Sequence, residues 1–282
     1  MICERIDLYA YFGIRREGER EGRLLSYRHP QFAELGERRV RPAMLVIPGG
    51  AYAFWSEREG EPVALRYYAA GFDCFVLEYD IAPVSYPAQI LQAGMAMLYL
   101  RKEAEALSVD PAHIAAVGFS AGGHLCGCIS YLWDDAALRA AFGEECARIR
   151  PDAAILSYPV VSADKEVAHA DSFRNFCGDA VSPQAYSFEK HIRPAAPPTF
   201  VWATSQDALV PPQNALLLCA ALLRQGVAAE LHLFDRGPHG MSVCAEDVAF
   251  ADWDKDAMAH AAHWLPLSLE FLRARGFVPR RA

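Results

Sequence analysis

The chain has 282 residues, of which 53% are hydrophobic, and its 27 Lys and Arg residues against 35 Asp and Glu residues give a formal net charge of −8. This acidic balance argues against a nucleic-acid-binding protein, which would need a basic face. The high apolar content excludes a disordered chain and predicts a soluble globular protein with a substantial hydrophobic core.

Short apolar runs alternate with longer helical patterns, which predicts an α/β fold with βα units, a mainly parallel sheet and helices on both of its faces. The charge-rich first 41 residues contain apolar pieces near Ile6–Tyr9 and Leu24–Tyr27, where we expect an edge hairpin. The predicted elements after it are, in chain order, a strand at Ala43–Pro48, a helix at Glu61–Ala70, a strand at Cys74–Tyr79, a helix at Ala88–Leu107, a strand at Ile114–Phe119, a helix that begins at Ser120, a strand at Ala153–Val160, a strand at Thr199–Thr204, a helix at Pro212–Gln225, a strand at Ala229–Phe234 and a helix at His260–Arg275.

The stretch Val161–Pro198 interrupts this alternation, because it has no strong periodicity and carries several aromatic residues. An aromatic insertion of this length in an α/β domain is typical of a lid or a pocket wall. Since no linker divides the chain, we predict a single domain over residues 1–282 with a small cap insertion at about 161–198.

Two stretches without acidic or basic residues, Ile81–Leu100 and Pro111–Trp133, are each long enough to cross a bilayer. Prolines and glutamines in the first, and glycines and histidines in the second, make both poor lipid-facing helices, so we expect buried elements and no membrane contact. The charged N-terminus lacks the apolar core of a secretory signal. Eight cysteines are too few for a disulfide scaffold, which favours a cytoplasmic protein with reduced cysteines.

Residues Gly118-Phe119-Ser120-Ala121-Gly122 form a G-x-S-x-G motif between a predicted strand and a predicted helix. A strand that turns directly into a helix holds the turn residue in a strained, exposed conformation, and small neighbours let the backbones pass closely. The serine hydroxyl then stands at a helix N-terminus, where the amide of Ala121 can donate to a developing oxyanion. We therefore expect Ser120 to be a nucleophile, with a structural glycine-rich turn as the alternative.

A serine nucleophile needs a base, and the base needs an acid that orients it. In this class of fold the acid and then the histidine follow the serine, at the ends of successive strands. Asp207 follows the strand at Thr199–Thr204 and His239 follows the next strand, which predicts a triad of Ser120, His239 and Asp207. Asp235 also ends a strand and is the alternative acid, although it lies only four residues before His239.

The remaining histidines are weaker candidates for the base. His124 lies in the helix that follows Ser120, and we expect it to pack beneath the site or to form a local hydrogen bond. Since no cluster of His, Cys and Asp residues has the spacing of a metal site, we expect neither a metal nor another cofactor. The other histidines that we assign to strands, helices or the surface are His113, His232, His260 and His263.

The loop Pro48–Ala51 follows the first buried strand and contains paired glycines. Such a loop lets backbone N–H groups point at a substrate oxygen, so Gly50 or Ala51 is predicted to complete an oxyanion hole with Ala121. Which of the two amides donates stays open. Aromatic residues at the same edge of the sheet are predicted either to line a substrate pocket or to pack in the core, and they are Tyr52, Phe54, Trp55 and Tyr86.

The chain resembles an α/β-hydrolase of the acetyl-esterase group, which includes acetyl xylan esterases and related carbohydrate esterases. The resemblance implies that Ser120, His239 and Asp207 hydrolyse short acyl esters through an acyl-enzyme, with Gly50 and Ala51 in the oxyanion loop. The stretches that carry it are PGGAY (Pro48–Tyr52), EGEPVA (Glu59–Ala64), YPAQ (Tyr86–Gln89), GFSAGGHL (Gly118–Leu125), PPTFVWATSQDALVP (Pro197–Pro211), GPHG (Gly237–Gly240) and HWLPLSLEFL (His263–Leu272).

Two departures from related patterns are visible. The related hormone-sensitive-lipase group has H-G-G-G in the oxyanion loop, where this chain has Pro48–Ala51, and this places the chain nearer the carbohydrate-esterase branch. Relatives often carry an acidic residue in the helix after Y-P-A, where this chain has Gln92, and we attach no function to that change.

The residues and the resemblance together predict a serine esterase that deacetylates small substrates, with sugars and xylo-oligosaccharides as the favoured alcohols. The expected partner is a small-molecule ester, with no nucleic acid and no membrane, and the oligomeric state stays open, a homodimer being one option. An aryl-formamidase on the same triad is one alternative, since a fold does not fix the substrate. A non-catalytic ligand-binding protein is the other, disfavoured because every triad residue is present.

Overall fold

Strands and helices alternate along most of the chain in the computed structural model, which describes residues 1–16 and 20–281. The strands are β1 (Ile2–Asp7), β2 (Arg23–Arg28), β3 (Arg39–Ile47), β4 (Asp73–Glu78), β5 (Val109–Phe119), β6 (Ala153–Ser157), β7 (Thr199–Thr204), β8 (Ala229–Phe234) and β9 (Arg280–Arg281). The helices are α1 (Leu8–Phe12), α2 (Glu61–Ala69), α3 (Ala88–Lys102), α4 (Ala104–Leu107), α5 (Ala121–Tyr131), α6 (Ala136–Phe142), α7 (Ala170–Cys177), α8 (Gln213–Arg224), α9 (Lys255–Ala261) and α10 (Trp264–Arg273). Turns of 3₁₀ helix lie at Ala33–Leu35, Glu57–Glu59, Gly143–Arg148, Pro183–Tyr186, Phe188–Lys190 and Glu246–Val248.

The sheet has the strand order β1-β2-β4-β3-β5-β6-β7-β8, so that β5 lies near its centre. The pairs β1–β2 and β2–β4 are antiparallel, whereas the pairs from β4 through β3, β5, β6 and β7 to β8 are parallel. The short strand β9 pairs with the beginning of β3 in antiparallel orientation. The predicted mainly parallel sheet is therefore confirmed, and its parallel strands end at a common edge.

The central strands are covered on both sides. Residues Ala43–Ile47 of β3 and Ala153–Ser157 of β6 are all fully buried. Because successive residues of a strand point to opposite faces, such an unbroken buried run requires packing on both faces of the sheet. On one of these faces α2 and α10 meet, where the hydroxyls of Tyr67 and Ser268 lie 2.8 Å apart.

The two uncharged runs form the interior around this sheet. The run Pro111–Trp133 contains most of β5 and the whole of α5, in which every residue is buried. Helix α3 provides most of the run Ile81–Leu100 and buries nearly all of its residues up to Leu100. Within the described residues, we find no helix whose length and hydropathy would let it span a bilayer.

The N-terminal edge differs in part from the predicted hairpin. Strands β1 and β2 pair as expected, but residues predicted as strand at Ile6–Tyr9 run into helix α1. The carboxylate of Asp7 accepts a hydrogen bond from the N–H of Ala10 at 3.1 Å and caps this helix, and Gly13 ends it in the left-handed conformation. The helix cap at Asp7 therefore decides the structure of this segment, although the alternation of apolar residues favoured a strand.

Three boundaries in the middle of the chain also differ from the prediction. Strand β5 begins at Val109, before the predicted start at Ile114, and its register against β3 shifts between Arg41 and Ala43. The predicted helix at Ala88–Leu107 is divided into α3 and α4. Strand β6 ends at Ser157 rather than Val160, because Tyr158 adopts a positive φ of 37°. The short strand β9 was not predicted.

The turn from β5 into α5 depends on two glycines. A Cβ atom at Gly118 would lie 2.3 Å from the carbonyl oxygen of Gly122, and one at Gly122 would lie 2.2 Å from that of Ile47. Both distances are far below van der Waals contact, so only glycine lets α5 approach β3 and β5 this closely. The sequence motif around Ser120 therefore has a packing cause as well as a chemical one.

Gly122→Ala should lower the free energy of unfolding by about 3 kcal/mol, since the added methyl group has no space against the backbone of β3. The matched control is Gly226→Ala, because Gly226 has a φ of +70° but open space around its Cβ position. The control should lose only about 1 kcal/mol, the cost of the left-handed backbone alone. Urea denaturation measures both values, and equal losses would contradict the packing account.

Candidate active site

The structure brings the three predicted triad residues together at the carboxyl edge of the sheet. Ser120 follows β5, Asp207 follows β7 and His239 follows β8. The Nε2 atom of His239 lies 2.8 Å from Ser120 Oγ, and its Nδ1 atom lies 2.6 Å from Asp207 Oδ2. These hydrogen bonds form a continuous path from the serine hydroxyl through the imidazole to the carboxylate.

Ser120 stands in a strained turn, with φ 52° and ψ −118°. Its N–H donates to the carbonyl oxygen of Ser157 at 3.0 Å, and its own carbonyl oxygen accepts from Val160 N–H at 3.1 Å. Both bonds tie the turn to the end of β6 and hold a backbone conformation that an L residue adopts only at a cost. The serine side chain is thereby fixed at the N-terminus of α5.

Asp207 is oriented by the loop in which it lies. Its Oδ1 atom accepts hydrogen bonds from the backbone N–H groups of Leu209 (3.0 Å) and Val210 (2.9 Å), and its side chain is fully buried. Because an ionised carboxylate is only an acceptor, Nδ1 of His239 donates to Oδ2. The neutral imidazole therefore presents an unprotonated Nε2 to the hydroxyl of Ser120.

The alternative acid, Asp235, is exposed and lies near residues other than His239. Its side chain is 69% exposed and lies 3.6 Å from Arg236 Nε and 3.5 Å from His260 Nδ1. Among the described residues, its carboxylate makes no hydrogen bond to His239. The geometry thus favours Asp207 as the residue that orients the imidazole.

His124 is a buried structural histidine. Its Nδ1 atom lies 2.8 Å from the hydroxyl of Tyr52, and its Nε2 atom lies 3.0 Å from the carbonyl oxygen of Tyr186. Since a carbonyl only accepts, Nε2 carries the proton and Nδ1 accepts from Tyr52. Burial lowers the pKa of His124 to about 4, which keeps the ring neutral. His124 is thus buried, as one of the two sequence-based options expected, but its two hydrogen-bond partners lie 72 and 62 residues away along the chain and are not local.

The other histidines outside the triad and the insertion engage local partners. His113 pairs with Asp110 at 2.9 Å, and His232 pairs with Glu230 at 2.8 Å. His263 bonds to the carbonyl oxygen of His260 at 2.8 Å. These contacts agree with the peripheral positions expected for them.

Gly50 and Ala51 line the same cavity as Ser120. Among the described residues, the N–H groups of Gly50 and Ala51 donate to no protein acceptor. Ala121 is the first residue of α5, so its N–H has no partner within that helix. A Cβ atom at Gly50 would lie 2.0 Å from the carbonyl oxygen of Phe54, which explains the glycine.

Two side chains that the sequence did not single out, one buried and one half-buried, hold this loop in place. Glu59 accepts a hydrogen bond from the N–H of Gly49 through Oε2 (2.9 Å) and one from the hydroxyl of Tyr158 through Oε1 (2.7 Å). Asn175 donates from Nδ2 to the carbonyl oxygen of Ala51 at 2.9 Å. Glu59 belongs to the EGEPVA stretch, which was the one available signal for this network.

The cavity that contains Ser120 has a volume of about 280 Å³. Residues that form its wall beyond the triad and the glycine loop come from four parts of the chain. Phe54 and Phe250 provide exposed aromatic rings, Arg58 a cation, and His169 and Leu209 further side chains. The site is thus small, mixed in polarity and open to solvent on the aromatic side.

Three of the aromatic residues proposed for the substrate pocket lie elsewhere. Tyr52 is fully buried and bonds to His124, so it belongs to the core beneath the site. Trp55 donates from Nε1 to the carbonyl oxygen of Tyr79 at 2.8 Å. The hydroxyl of Tyr86 donates to Asp135 Oδ1 at 2.9 Å. Among the described residues that line the Ser120 cavity, the aromatic candidate from the sequence is Phe54.

The insertion at 161–198 packs against His124, beneath the site. Three of its aromatic rings, from Phe173, Phe176 and Phe188, lie 5.0–5.7 Å from the ring of His124 between centroids. Asn214 of α8 fixes its beginning, since Oδ1 accepts from the N–H groups at positions 161 and 162. The insertion also contributes His169 to the cavity. Its action as a lid stays a prediction.

The family model BD-FAE matches residues 33–222, which is more than half of the chain. The chain belongs to the BD-FAE family. Endo-1,4-beta-xylanase B of Butyrivibrio fibrisolvens is 36% identical to this BD-FAE member over 223 residues, which make up 76% of the chain and 34% of the relative. The acetylxylan esterase of Xylanibacter ruminicola is 28% identical over 206 residues, with 70% of the chain and 40% of the relative covered. The chain thus spans less than half the length of these two relatives.

The fold is shared over almost the whole length with a solved structure. The acetyl ester-xyloside bifunctional hydrolase of Caldicellulosiruptor lactoaceticus superposes on this chain with a TM-score of 0.80 at 29% sequence identity. The superposition covers 98% of this chain and 97% of the hydrolase chain. The expected α/β-hydrolase fold and the resemblance to the acetyl-esterase group are confirmed.

Stability should fall in mild acid because His124 is buried as a neutral ring. In the unfolded chain an imidazole titrates near pH 6.5, whereas His124 in the folded chain stays neutral until pH about 4. Unfolding therefore takes up a proton in this window, and stability present above pH 6.5 is lost as the pH falls toward 4. This contribution amounts to about 2 kcal/mol between pH 7 and pH 5.

Urea denaturation at pH 7 and pH 5 measures the loss in wild type and in His124→Gln, which should show a smaller difference between the two pH values. His263→Gln is the control, because His263 is exposed. An equal pH dependence in wild type and His124→Gln would contradict the assignment.

Proposed function

We propose that the protein is a serine esterase that removes short acyl groups, acetyl above all, from sugars or xylo-oligosaccharides. The observation that carries the proposal is the hydrogen-bonded path Ser120–His239–Asp207, which ends in a small cavity beside unpaired backbone amides. The names of the relatives, an acetylxylan esterase and an acetyl ester-xyloside hydrolase, support the same substrate class.

The reaction begins when Ser120 Oγ attacks the ester carbonyl and His239 Nε2 accepts the hydroxyl proton. Asp207, held by two backbone amides, stabilises the imidazolium that forms. The N–H of Ala121 and that of Gly50 or Ala51 stabilise the oxyanion, and each donor lowers the barrier by roughly 3–4 kcal/mol. His239 then returns the proton to the leaving alcohol, and an acyl-enzyme remains on Ser120.

Deacylation repeats these steps with water as the nucleophile. His239 accepts a proton from the water, whose oxygen attacks the acyl carbon, and the proton passes to Ser120 Oγ as the acid leaves. Over the whole reaction, one water molecule is consumed, and one carboxylic acid and one alcohol are released. The described side chains of the triad are sufficient for both half-reactions.

The size of the cavity favours a short acyl group. Its volume of about 280 Å³ lies below the roughly 300–1,000 Å³ typical of drug-sized ligand sites. Glu59, which is buried, forms part of the cavity wall. A cytoplasmic location is proposed together with this function, in keeping with the free cysteines.

Asp207→Asn should lower kcat for p-nitrophenyl acetate by about 10⁴-fold, because the amide stabilises the wrong imidazole tautomer. Asp235→Asn is the matched control, since Asp235 is exposed and pairs with Arg236 and His260. The control should stay within about twofold of wild type. Steady-state kinetics on both variants measure the effect.

A large loss in Asp235→Asn with little loss in Asp207→Asn would overturn the assignment of the acid. A wild-type protein that hydrolyses N-formylkynurenine but neither p-nitrophenyl acetate nor acetylated xylose would overturn the esterase proposal in favour of the formamidase alternative.

A further inference from the structure

His169 is a polar side chain in the cavity that the proposed mechanism does not use. It lies in the insertion, immediately before α7, and lines the cavity together with Ser120 and His239. Its side chain is partly buried. A polar group that lines the same cavity as the reacting serine is positioned to contact a substrate that fills this cavity.

The hydrogen bonds of His169 fix its tautomer. Its Nδ1 atom accepts from the backbone N–H of Ser172 at 3.3 Å and lies 2.9 Å from Ser172 Oγ. Because a backbone N–H only donates, Nδ1 is the acceptor and the neutral ring carries its proton on Nε2. Among the described residues, Nε2 has no hydrogen-bond partner. The Nε2–H group of His169 is therefore available to donate a hydrogen bond to a ligand.

Burial and the nearby His239 both lower the pKa of His169, with burial the larger cause. The ring is then neutral at neutral pH, which keeps Nδ1 unprotonated and the bond to Ser172 intact.

His169 and His239 line the same cavity. The carbonyl oxygen of a bound ester points toward Gly50, Ala51 and Ala121, whereas the ester oxygen must face Nε2 of His239 to receive its proton. Groups attached to the alcohol carbon next to that oxygen extend into the cavity beside His239. His169 lines this cavity, so its ring is placed to meet them.

We propose that His169 recognises the alcohol half of the substrate by donating its Nε2 proton to a hydroxyl next to the ester oxygen. This assignment rests on the proposed function and deepens it, since it predicts a preference for esters of polyhydroxylated rings over esters of simple alcohols. Phe54, which is 58% exposed, flanks the cavity and offers an apolar face against which a pyranose ring packs. The ring of Phe250 also lines the cavity, but the guanidinium of Arg58 lies over it, 4.7 Å from the ring centroid.

Two esters with rings of the same size separate this role from a structural one. Methyl mono-O-acetyl-β-D-xylopyranoside carries hydroxyls next to the acetyl group, whereas cyclohexyl acetate carries none. In His169→Asn, the shorter amide keeps an acceptor for the N–H of Ser172 and so retains the helix cap, but it does not extend to the position of Nε2. The variant thus removes the donor and spares the fold.

The expected result for His169→Asn is a loss of about tenfold in kcat/KM on the acetylated xyloside, as for one lost hydrogen bond. On cyclohexyl acetate, kcat/KM should change by less than about twofold, because no hydroxyl is present to lose a partner. His169→Gln, whose amide nitrogen extends to the position of Nε2, should recover part of the activity on the xyloside. Thermal denaturation checks that both variants are folded.

Equal losses on both esters in either folded variant, or no loss on the xyloside, would overturn the role of His169. A wild-type protein that hydrolyses neither ester would instead overturn the proposed function, so the two failures are distinguishable.

Discussion

The close approach of α5 to β3 is the constraint on which the site depends. Gly122 lies against the carbonyl oxygen of Ile47, and Gly118 lies against Gly122, so β5 has no room for a loop before α5 begins. Ser120 is therefore forced into its strained turn, with φ 52°. Because its backbone also bonds to the end of β6, the nucleophile is placed by three neighbouring strands of the central sheet rather than by a flexible loop.

The loops around the nucleophile are tied to this frame by a buried polar network. The hydroxyl of Tyr158 donates to Glu59, which holds the oxyanion loop, and accepts from the N–H of Ser242 at 2.9 Å, which lies in the loop after His239. The ring of Tyr158 packs edge-on against that of His239, with centroids 4.9 Å apart. Tyr158, at the end of β6, thus connects the oxyanion loop and His239 to the sheet. The hydroxyl of Tyr158 and both carboxylate oxygens of Glu59 have hydrogen-bond partners.

The sequence predicted those features that depend on local pattern and chain order, and it missed those that depend on distant contacts. The strands, the elbow at Ser120 and the order of Asp207 and His239 follow from periodicity and from the position of each residue after a strand. Asn175 and Ala51 are 124 residues apart, so the sequence around neither residue predicts their hydrogen bond. For the same reason the sequence left open whether Tyr52 lines a pocket or packs in the core, because its partner His124 lies 72 residues away in α5.

The most direct test of the central claim is a crystal structure of the protein after reaction with a fluorophosphonate. The account predicts phosphorus bonded to Ser120 Oγ, with the phosphoryl oxygen within hydrogen-bond distance of the N–H of Ala121 and of that of Gly50 or Ala51. His239 should stay bonded to Asp207 beside the adduct. An unlabelled Ser120 in folded protein, or a phosphoryl oxygen directed away from these amides, would contradict the account.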